Sequence, residues 1–339
     1  MNRWLRSSLV LIVAAIGFGY WLLRDVEDVL RRPLLLQAPA VFEIAKGRHL
    51  EGIAADLDDR SFLPTGRARL YLRLYGRLNP NVAALKAGEY QLTPGMTPID
   101  AMNLFASGKV LLHELRIVEG WRFAQALEAV RQNEVLQHTL PATAAANEVM
   151  AAIGRPDEDA EGRFFPDTYR FPRGTSDVAF LKRAYAANEK LLQEEWDKRD
   201  NGLPYRMPYQ ALIMASIVER ETGLPDERAQ IAGVFVRRLQ KGMRLQTDPT
   251  VIYGLGLAFD GNLRKRDLLA DAPYNTYTRE GLPPTPICLP GRAALQAALH
   301  PASGNTFYFV SRGDGSHEFS ATLKEHEAAV RRYQLGRAQ

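Results

Sequence analysis

One long apolar run near the N-terminus stands apart from the shorter amphipathic stretches that fill the rest of the chain. It covers residues 7–23, contains no charged residue and lies between Arg6 and Arg24. Its seventeen residues are at the short end of the range for a membrane-spanning helix. Trp and Tyr side chains stand near both ends, where they favour the membrane interface. The run predicts a transmembrane anchor, with residues 1–6 left in the cytoplasm and the bulk of the chain outside.

A cleaved signal peptide is the alternative interpretation of the same run. Cleavage requires small residues directly after the apolar stretch, whereas Tyr20, Trp21, Leu22 and Leu23 are large. An uncleaved anchor is therefore favoured. Residues 24–40, which follow, are charged and contain proline, and they predict a stalk.

Residues 41–118 alternate short strand patterns with short helical patterns. The order is strand, two helices, strand, capped helix and strand, at 41–44, 50–57, 67–75, 89–92, 97–105 and 111–118. This pattern predicts a small α+β unit. Its strand, glycine turn, two helices and strand resemble a LysM module, and that resemblance implies glycan binding. A purely structural role stays open.

Residues 119–339 carry the longer helical patterns. The expected helices lie at 122–130, 176–200, 207–223, 228–240 and 322–333. Apolar runs at 307–310 and 317–320 flank Gly313, Asp314 and Gly315, which predicts a β-hairpin. These elements predict a larger mixed α+β catalytic domain, and the whole chain is assigned to the α+β class.

Composition and charge exclude several classes of function. The net charge is +4 over 339 residues and no dense basic run occurs, which argues against nucleic acid as a partner. Cys288 is the single cysteine, so an intramolecular disulfide and a cysteine zinc motif are excluded. The six histidines lack metal-binding spacing, and no glycine-rich phosphate loop occurs. We expect neither a metal nor a cofactor.

Residues 207–223 predict a buried helix with a clear beginning and end. Pro208 suits the first turn, where its missing N–H costs nothing, and Gly223 suits a left-handed residue after the last turn. The stretch is apolar nearly all round, which is typical of a buried helix. Its last turn nevertheless carries two carboxylates. Glu219 continues the buried stripe, whereas Glu221, two residues on, points elsewhere.

Glu219 is the candidate catalytic residue on this pattern. Burial and the negative end of the helix dipole both disfavour its charged form. Both effects raise its pKa toward the value that a general acid requires at neutral pH. A structural ion pair with an arginine at the helix end is the alternative. Glu221 is the reserve catalytic candidate.

Two polar loops further along the chain contain candidate sugar-binding residues. Tyrosine rings can stack on sugar faces, and amide, hydroxyl and carboxylate groups can bind hydroxyl and acetamide groups. The candidates are Gln246, Asp248, Tyr274, Asn275, Thr276 and Tyr277. Capping of a helix at 249–253 and packing within the loops would explain the same residues, so both interpretations stay open.

Several longer motifs resemble the endolytic murein transglycosylases of the YceG-like family. They follow the family's order over roughly residues 41–335: EGRFFPDTYRF, ASIVERET, RLQTDPTVIYG, YNTY with GLPPTPI, HPASGNTFYFV and GDGSHEFSATLKEHE. The resemblance implies that the Glu of ASIVE, here Glu219, is catalytic. It also implies a single-pass inner-membrane protein with a cytoplasmic N-terminus and a periplasmic catalytic domain. Nascent peptidoglycan strands would be the substrate, with peptidoglycan synthases as candidate partners.

The resemblance further implies a mechanism that needs one carboxylate. The acid protonates the glycosidic oxygen between MurNAc and GlcNAc and then takes the proton of the MurNAc 6-hydroxyl. That hydroxyl closes on C1, so the product is 1,6-anhydro-MurNAc and elongation of the strand ends. A muramidase-type hydrolase would need a second carboxylate, for which Asp248 or Glu221 is available. A non-enzymatic wall-binding scaffold that uses the LysM-like unit alone is the other alternative.

Overall fold

The computed structural model describes residues 3–335, and the side chains of residues 3–9, 81 and 83 are outside that description. Helices dominate the described chain, and each of its sheets has two strands. The predicted mixed α+β class is therefore confirmed.

The described chain divides into two compact units. The first extends to His113 and includes Phe171–Gly174. The second contains Glu114–Arg170 and the residues from Thr175 onward. All the candidate site residues lie in the second unit.

The first unit consists of a long N-terminal helix, an antiparallel pair of strands and four shorter helices. In chain order they are α1 (Arg3–Arg31), β1 (Ala40–Ile44), α2 (Leu50–Asp59), α3 (Gly66–Leu78), α4 (Pro80–Ala83), β2 (Gly88–Leu92) and α5 (Pro98–Ser107). Phe42 of β1 pairs with Tyr90 of β2, and both rings pack on Phe105 of α5. These three aromatic side chains form the centre of the unit's core.

The C-terminal part of α1 packs into this core. Val29 and Leu30 of α1, and Leu34 just after it, are buried among apolar side chains of the same unit, and Asp25 accepts hydrogen bonds from side chains of α3. The segment at 24–40, predicted to be a stalk, therefore contributes to the folded unit instead of linking it loosely. The sequence pattern did not predict this packing, because the three apolar residues lie between charged residues, and the segment as a whole is polar.

The transmembrane anchor predicted at residues 7–23 is not confirmed. These residues lie within α1, and most side chains of residues 10–23 are exposed. No helix in the described part of the chain is long and apolar enough to cross a membrane. Residues 1–2 of the predicted tail and the side chains of 3–9 lie outside the description.

The remaining elements lie in the second unit, except that the first residue of β3, His113, and the last of β4, Phe171, are assigned to the first. Its helices are α6 (Phe123–Arg131), α7 (Ala146–Ala152), α8 (Asp177–Trp196), α9 (Pro208–Glu221), α10 (Arg228–Gln240), α11 (Asp248–Leu255), α12 (Lys265–Leu269), α13 (Arg292–Leu299) and α14 (Leu323–Val330). Its strands are β3 (His113–Arg116), paired with β4 (Thr168–Phe171), and β5 (Tyr308–Ser311), which forms an antiparallel hairpin with β6 (His317–Ser320). The predicted hairpin is confirmed, whereas the strand predicted at 111–118 is only four residues long.

Helix α9 lies at the centre of the second unit. Residues 211–218 are all buried, and the helix packs against α8, α10, α11 and α13. Apolar residues on every face of a helix require neighbours on every side. The pattern therefore predicted both the helix and its central position, and it leaves only the last turn at the edge of the core.

Candidate active site

The last turn of α9 places two half-buried glutamates in different surroundings. Glu219 and Glu221 are two residues apart, and residues at that spacing do not share a helix face. The turn ends at Thr222, whose extended backbone stops the helix. The predicted left-handed glycine at Gly223 is wrong, because that residue does not adopt a positive φ.

Glu221 is held by the turn that precedes α11. The Thr247 hydroxyl donates a hydrogen bond of 2.7 Å to Oε1 of Glu221. Burial raises the pKa of Glu221 to about 7, against the lowering effect of the Thr247 hydrogen bond. The charge of Asp248 raises this pKa further, and His317 lowers it. A carboxyl group with this pKa is substantially protonated at neutral pH and can still lose its proton.

Glu221 lines an open cavity of about 510 Å³ in the second unit. Polar and aromatic side chains make up much of its wall, as in sites that bind sugars. They include Glu221, Arg238, Gln246, Asp248, Tyr277, Tyr308, His317 and His326. Three of the six predicted sugar-binding residues thus lie together, around Glu221 and not around Glu219.

The loop side of the cavity is held by a buried arginine. Arg238 donates to the backbone carbonyl of Leu245 at 2.8 Å and to Oε1 of Gln246 at 3.3 Å. Gln246 has a positive φ of 52°, a conformation that non-glycine residues rarely adopt. Next to it, the Tyr277 hydroxyl donates to Asp248 at 2.5 Å. Gln246 and Asp248 are exposed toward the cavity, so both can meet a ligand.

Asn275 and Thr276 lie behind this wall and do not line the cavity. They are 1% and 3% exposed. The Asn275 amide donates to the carbonyls of Asp267, Leu268 and Ala270, at 3.1, 3.1 and 2.7 Å. Its Oδ1 accepts from the N–H of Tyr277 at 2.9 Å. These contacts use the amide for packing the loop, so the prediction that it contacts sugar is corrected to a positioning role.

Thr276 has a similar position. Its hydroxyl accepts from the Thr247 N–H at 3.1 Å and lies 2.9 Å from the hydroxyl of Thr250. Its carbonyl accepts from the N–H of Gln246 at 3.1 Å. Thr276 thereby sets the position of the turn that carries Gln246 and Thr247, and its predicted contact with sugar is corrected in the same way.

Tyr274 is also outside the cavity. Its ring packs edge-on against Tyr253 with 4.8 Å between centroids, and its hydroxyl lies 2.8 Å from that of Thr285. Tyr253 in turn donates to the buried carboxylate of Glu161 at 3.1 Å. Tyr274 therefore belongs to a separate aromatic and carboxylate cluster on another side of α11.

Glu219 faces the N-terminus of α13. Its Oε2 accepts a hydrogen bond of 3.0 Å from the N–H of Gly291, the residue that caps this helix. The Glu119 carboxylate fills the space that a side chain at Gly291 would occupy. Burial raises the pKa of Glu219, the Gly291 hydrogen bond lowers it, and the charge of Glu119 raises it. The structure thus does not bring Glu219 together with Gln246, Asp248 or Tyr277.

Four wall residues were missed by the sequence analysis, namely Arg238, Tyr308, His317 and His326. Arg238 lies on α10, and the other three come from the β5–β6 hairpin and α14. The GDGSHEF and KEHE motifs contained the two histidines, but the motifs alone do not show that these residues pack next to the end of α9. The available signal was two histidines in an otherwise charged and polar tail.

Comparison with known proteins assigns this geometry to a family. Residues 42–332 match the sequence model of the YceG-like family, which is most of the chain. The chain belongs to the YceG-like family. Its central helix, the turn at 246–248 and the C-terminal hairpin all lie within the matched range.

Relatives in this family include named enzymes. An endolytic murein transglycosylase of Bacillus subtilis is 29% identical over 345 residues, which covers 96% of this chain and 91% of the relative. One of Streptococcus pneumoniae is 25% identical over 327 residues, covering 85% of this chain and 57% of the relative. A crystal structure of a YceG-like protein from Listeria monocytogenes matches with a TM-score of 0.54 and 29% identity, over 86% of this chain and 99% of that one.

Proposed function

We propose that this protein is a peptidoglycan lytic transglycosylase that cleaves the MurNAc–GlcNAc bond within glycan strands, with Glu221 as its general acid. One observation carries the assignment of the site. A carboxyl group whose pKa burial raises to about 7 lies on the wall of a polar and aromatic cavity. The named activity of the Bacillus relative, which aligns over nearly its whole length, supports the reaction.

The surroundings of the two glutamates favour Glu221 over Glu219. A general acid must hold a proton at neutral pH and face the substrate. Glu221 meets both conditions through burial and through the cavity. Burial raises the pKa of Glu219 as well, but Glu219 is absent from the cavity wall and its carboxylate faces the N–H of Gly291 instead.

The reaction follows from this arrangement. Glu221 gives its proton to the glycosidic oxygen, and the bond from that oxygen to C1 of MurNAc breaks. The 6-hydroxyl of the same MurNAc closes on C1, so no water is consumed. In the simplest scheme the Glu221 carboxylate then accepts the proton of that hydroxyl. Gln246, Asp248 and Tyr277 are the side chains placed to hold the sugars.

The matched pair of isosteres Glu221→Gln and Glu219→Gln tests the assignment. Glutamine keeps the shape and loses the proton, so Glu221→Gln should lower the rate on purified glycan strands by about 10²–10⁴-fold. Glu219→Gln should keep much of the activity, because the Gly291 N–H retains an oxygen acceptor. The reverse ranking of the two variants would move the chemistry to the Glu219 side of α9.

We also propose that the protein acts at the inner membrane, with a cytoplasmic N-terminus, a periplasmic catalytic unit, and peptidoglycan synthases as partners. The exposed apolar side chains of residues 10–23 and the family membership support this location. Glycan binding by the LysM-like unit belongs to the same proposal. Recovery of the full chain in the soluble fraction after cell lysis, or a mature N-terminus beyond residue 23, would contradict it.

A further inference from the structure

A histidine and a glutamate from distant parts of the chain meet at the cavity wall. Nδ1 of His317 lies 2.7 Å from Oε2 of Glu227, and the N–H of His317 donates to Oε1 of the same carboxylate at 2.8 Å. The two side chains are only 11% and 13% exposed. Glu227 precedes α10 and His317 begins β6, so the contact fixes the hairpin against α10.

These contacts orient the imidazole ring. Because Nδ1 faces a carboxylate, it carries the proton, and Nε2 of the neutral ring is left as an acceptor. Nε2 makes no hydrogen bond within the described part of the chain, and the ring lines the same cavity as Glu221. Phe309 and Phe319 pack edge-on against the ring, with centroids 5.4 and 6.5 Å away. A carboxylate that holds a histidine by Nδ1 is the arrangement that makes Nε2 a base in other enzymes.

Resting on the proposed function, we propose that His317, held by Glu227, is the base that accepts the proton of the MurNAc 6-hydroxyl. The electron pair of the C1–O bond goes to the leaving oxygen, which takes the proton of Glu221. An oxygen lone pair of the 6-hydroxyl forms the new bond to C1, and its proton passes to Nε2. The imidazolium, balanced by Glu227, then returns a proton to the Glu221 carboxylate. Both groups are reset, and no co-reactant is needed.

The positions of Glu221 and His317 suit separate roles as acid and base. In the one-carboxylate scheme Glu221 must reach both the leaving oxygen and the 6-hydroxyl. Here Glu221 comes from α9 and His317 from β6, so acid and base come from different elements. The two groups also interact electrostatically, since His317 lowers the pKa of the Glu221 carboxyl. The other ionisable groups on the cavity wall are Asp248, Tyr277, Arg238, Tyr308 and His326.

His300 provides a matched control. Its Nδ1 lies 2.8 Å from Oδ1 of Asp200, which is the same type of pair as His317 with Glu227. The side chains of this pair are 40% and 54% exposed, and neither residue lines the cavity. If His317→Gln loses activity and His300→Gln does not, the loss is caused by the position of His317 in the cavity and not by the loss of a histidine–carboxylate pair.

The test uses the full chain in detergent, acting on purified glycan strands over a range of pH. His317→Gln should lower kcat roughly 10²-fold with little change in KM. It should also change the shape of the pH profile of kcat, because the group that accepts the proton of the 6-hydroxyl is lost. Glu227→Gln keeps an acceptor for Nδ1 and should cause a smaller loss, and His300→Gln should behave as wild type.

The outcomes separate this inference from the function on which it rests. If Glu221→Gln is inactive while His317→Gln keeps the wild-type pH profile, Glu221 acts alone and the base assignment is wrong. If His317→Gln loses activity only in proportion to a loss of folded protein, its role is structural and the assignment is also wrong. Full activity of Glu221→Gln would instead overturn the proposed site itself.

Discussion

Glu219 and Glu221 show how strongly the neighbours of a residue decide its chemistry. Both lie in the last turn of the same buried helix, and both have a pKa above the ordinary value because of burial. Glu219 meets a backbone N–H at the start of α13, whereas Glu221 meets a threonine hydroxyl and an open cavity. Sequence spacing correctly separated the two faces. It could not tell which face has the cavity, because the cavity wall comes from residues up to about 110 positions further along.

The raised pKa of Glu221 has a consequence for stability. A folded-state pKa of about 7, above the ordinary 4.5, means that the folded chain holds a proton that the unfolded chain releases. The contribution of this bound proton to the free energy of unfolding is complete below pH 4.5, and it is lost as the pH rises through 7. The loss is about 3 kcal/mol, since one pKa unit is worth about 1.4 kcal/mol. Glu161, which is buried and also has a pKa of about 7, adds a similar dependence.

Urea unfolding of wild type and Glu221→Gln at pH 5 and pH 8 measures this effect. Between pH 5 and pH 8, the free energy of unfolding should fall less for the variant than for wild type, and the difference between the two falls should be about 3 kcal/mol. The variant Glu280→Gln, at an exposed glutamate, controls for the simple loss of a carboxylate. Parallel pH dependence of wild type and Glu221→Gln would mean that Glu221 is not desolvated in solution.

At the scale of elements, the sequence predicted best where local signals and burial agree. The helix predicted at 228–240 is confirmed as α10, and Ser176 and Thr97 cap their helices as their positions suggest. The patterns missed α12 and α13. Helix α12 is only five residues long, and α13 is Ala-rich and starts at a glycine without a capping side chain. The position of α13 was needed to understand Glu219.

The loop that follows α12 depends on one buried amide. Asn275 binds three carbonyls at the C-terminal end of α12 and the N–H of Tyr277, so Asn275→Ala leaves several buried polar groups without partners. We expect the free energy of unfolding to fall by roughly 1–3 kcal/mol. Activity should fall as well, because Tyr277 loses its support.

Urea unfolding and steady-state kinetics of Asn275→Ala check this prediction. Asn305→Ala removes an exposed amide of the same unit and should change stability by less than about 0.5 kcal/mol. Wild-type stability combined with a raised KM for Asn275→Ala would restore the direct contact with sugar that the sequence suggested.

At the scale of the whole molecule, sequence motifs identified the family and the reaction more reliably than they identified the membrane attachment or the site. Motifs in the right order reflect a shared fold, which the match over residues 42–332 bears out. The site was only partly predictable. Gln246, Asp248 and Tyr277 lie at the cavity, but the side chains of Asn275 and Thr276 are buried. Polar loop residues support a loop as often as they face a ligand, and only the packing tells the two roles apart.

The central claim is that this site cleaves glycan without water, and the mass of the released ends tests it most directly. Purified peptidoglycan strands are digested by the full chain in water enriched in a heavy oxygen isotope, and the new ends are analysed by mass spectrometry. We expect 1,6-anhydro-MurNAc ends, one water lighter than reducing ends and free of the heavy isotope. Reducing MurNAc ends that carry the heavy isotope would contradict it, because they would show a hydrolase with a second carboxylate at work.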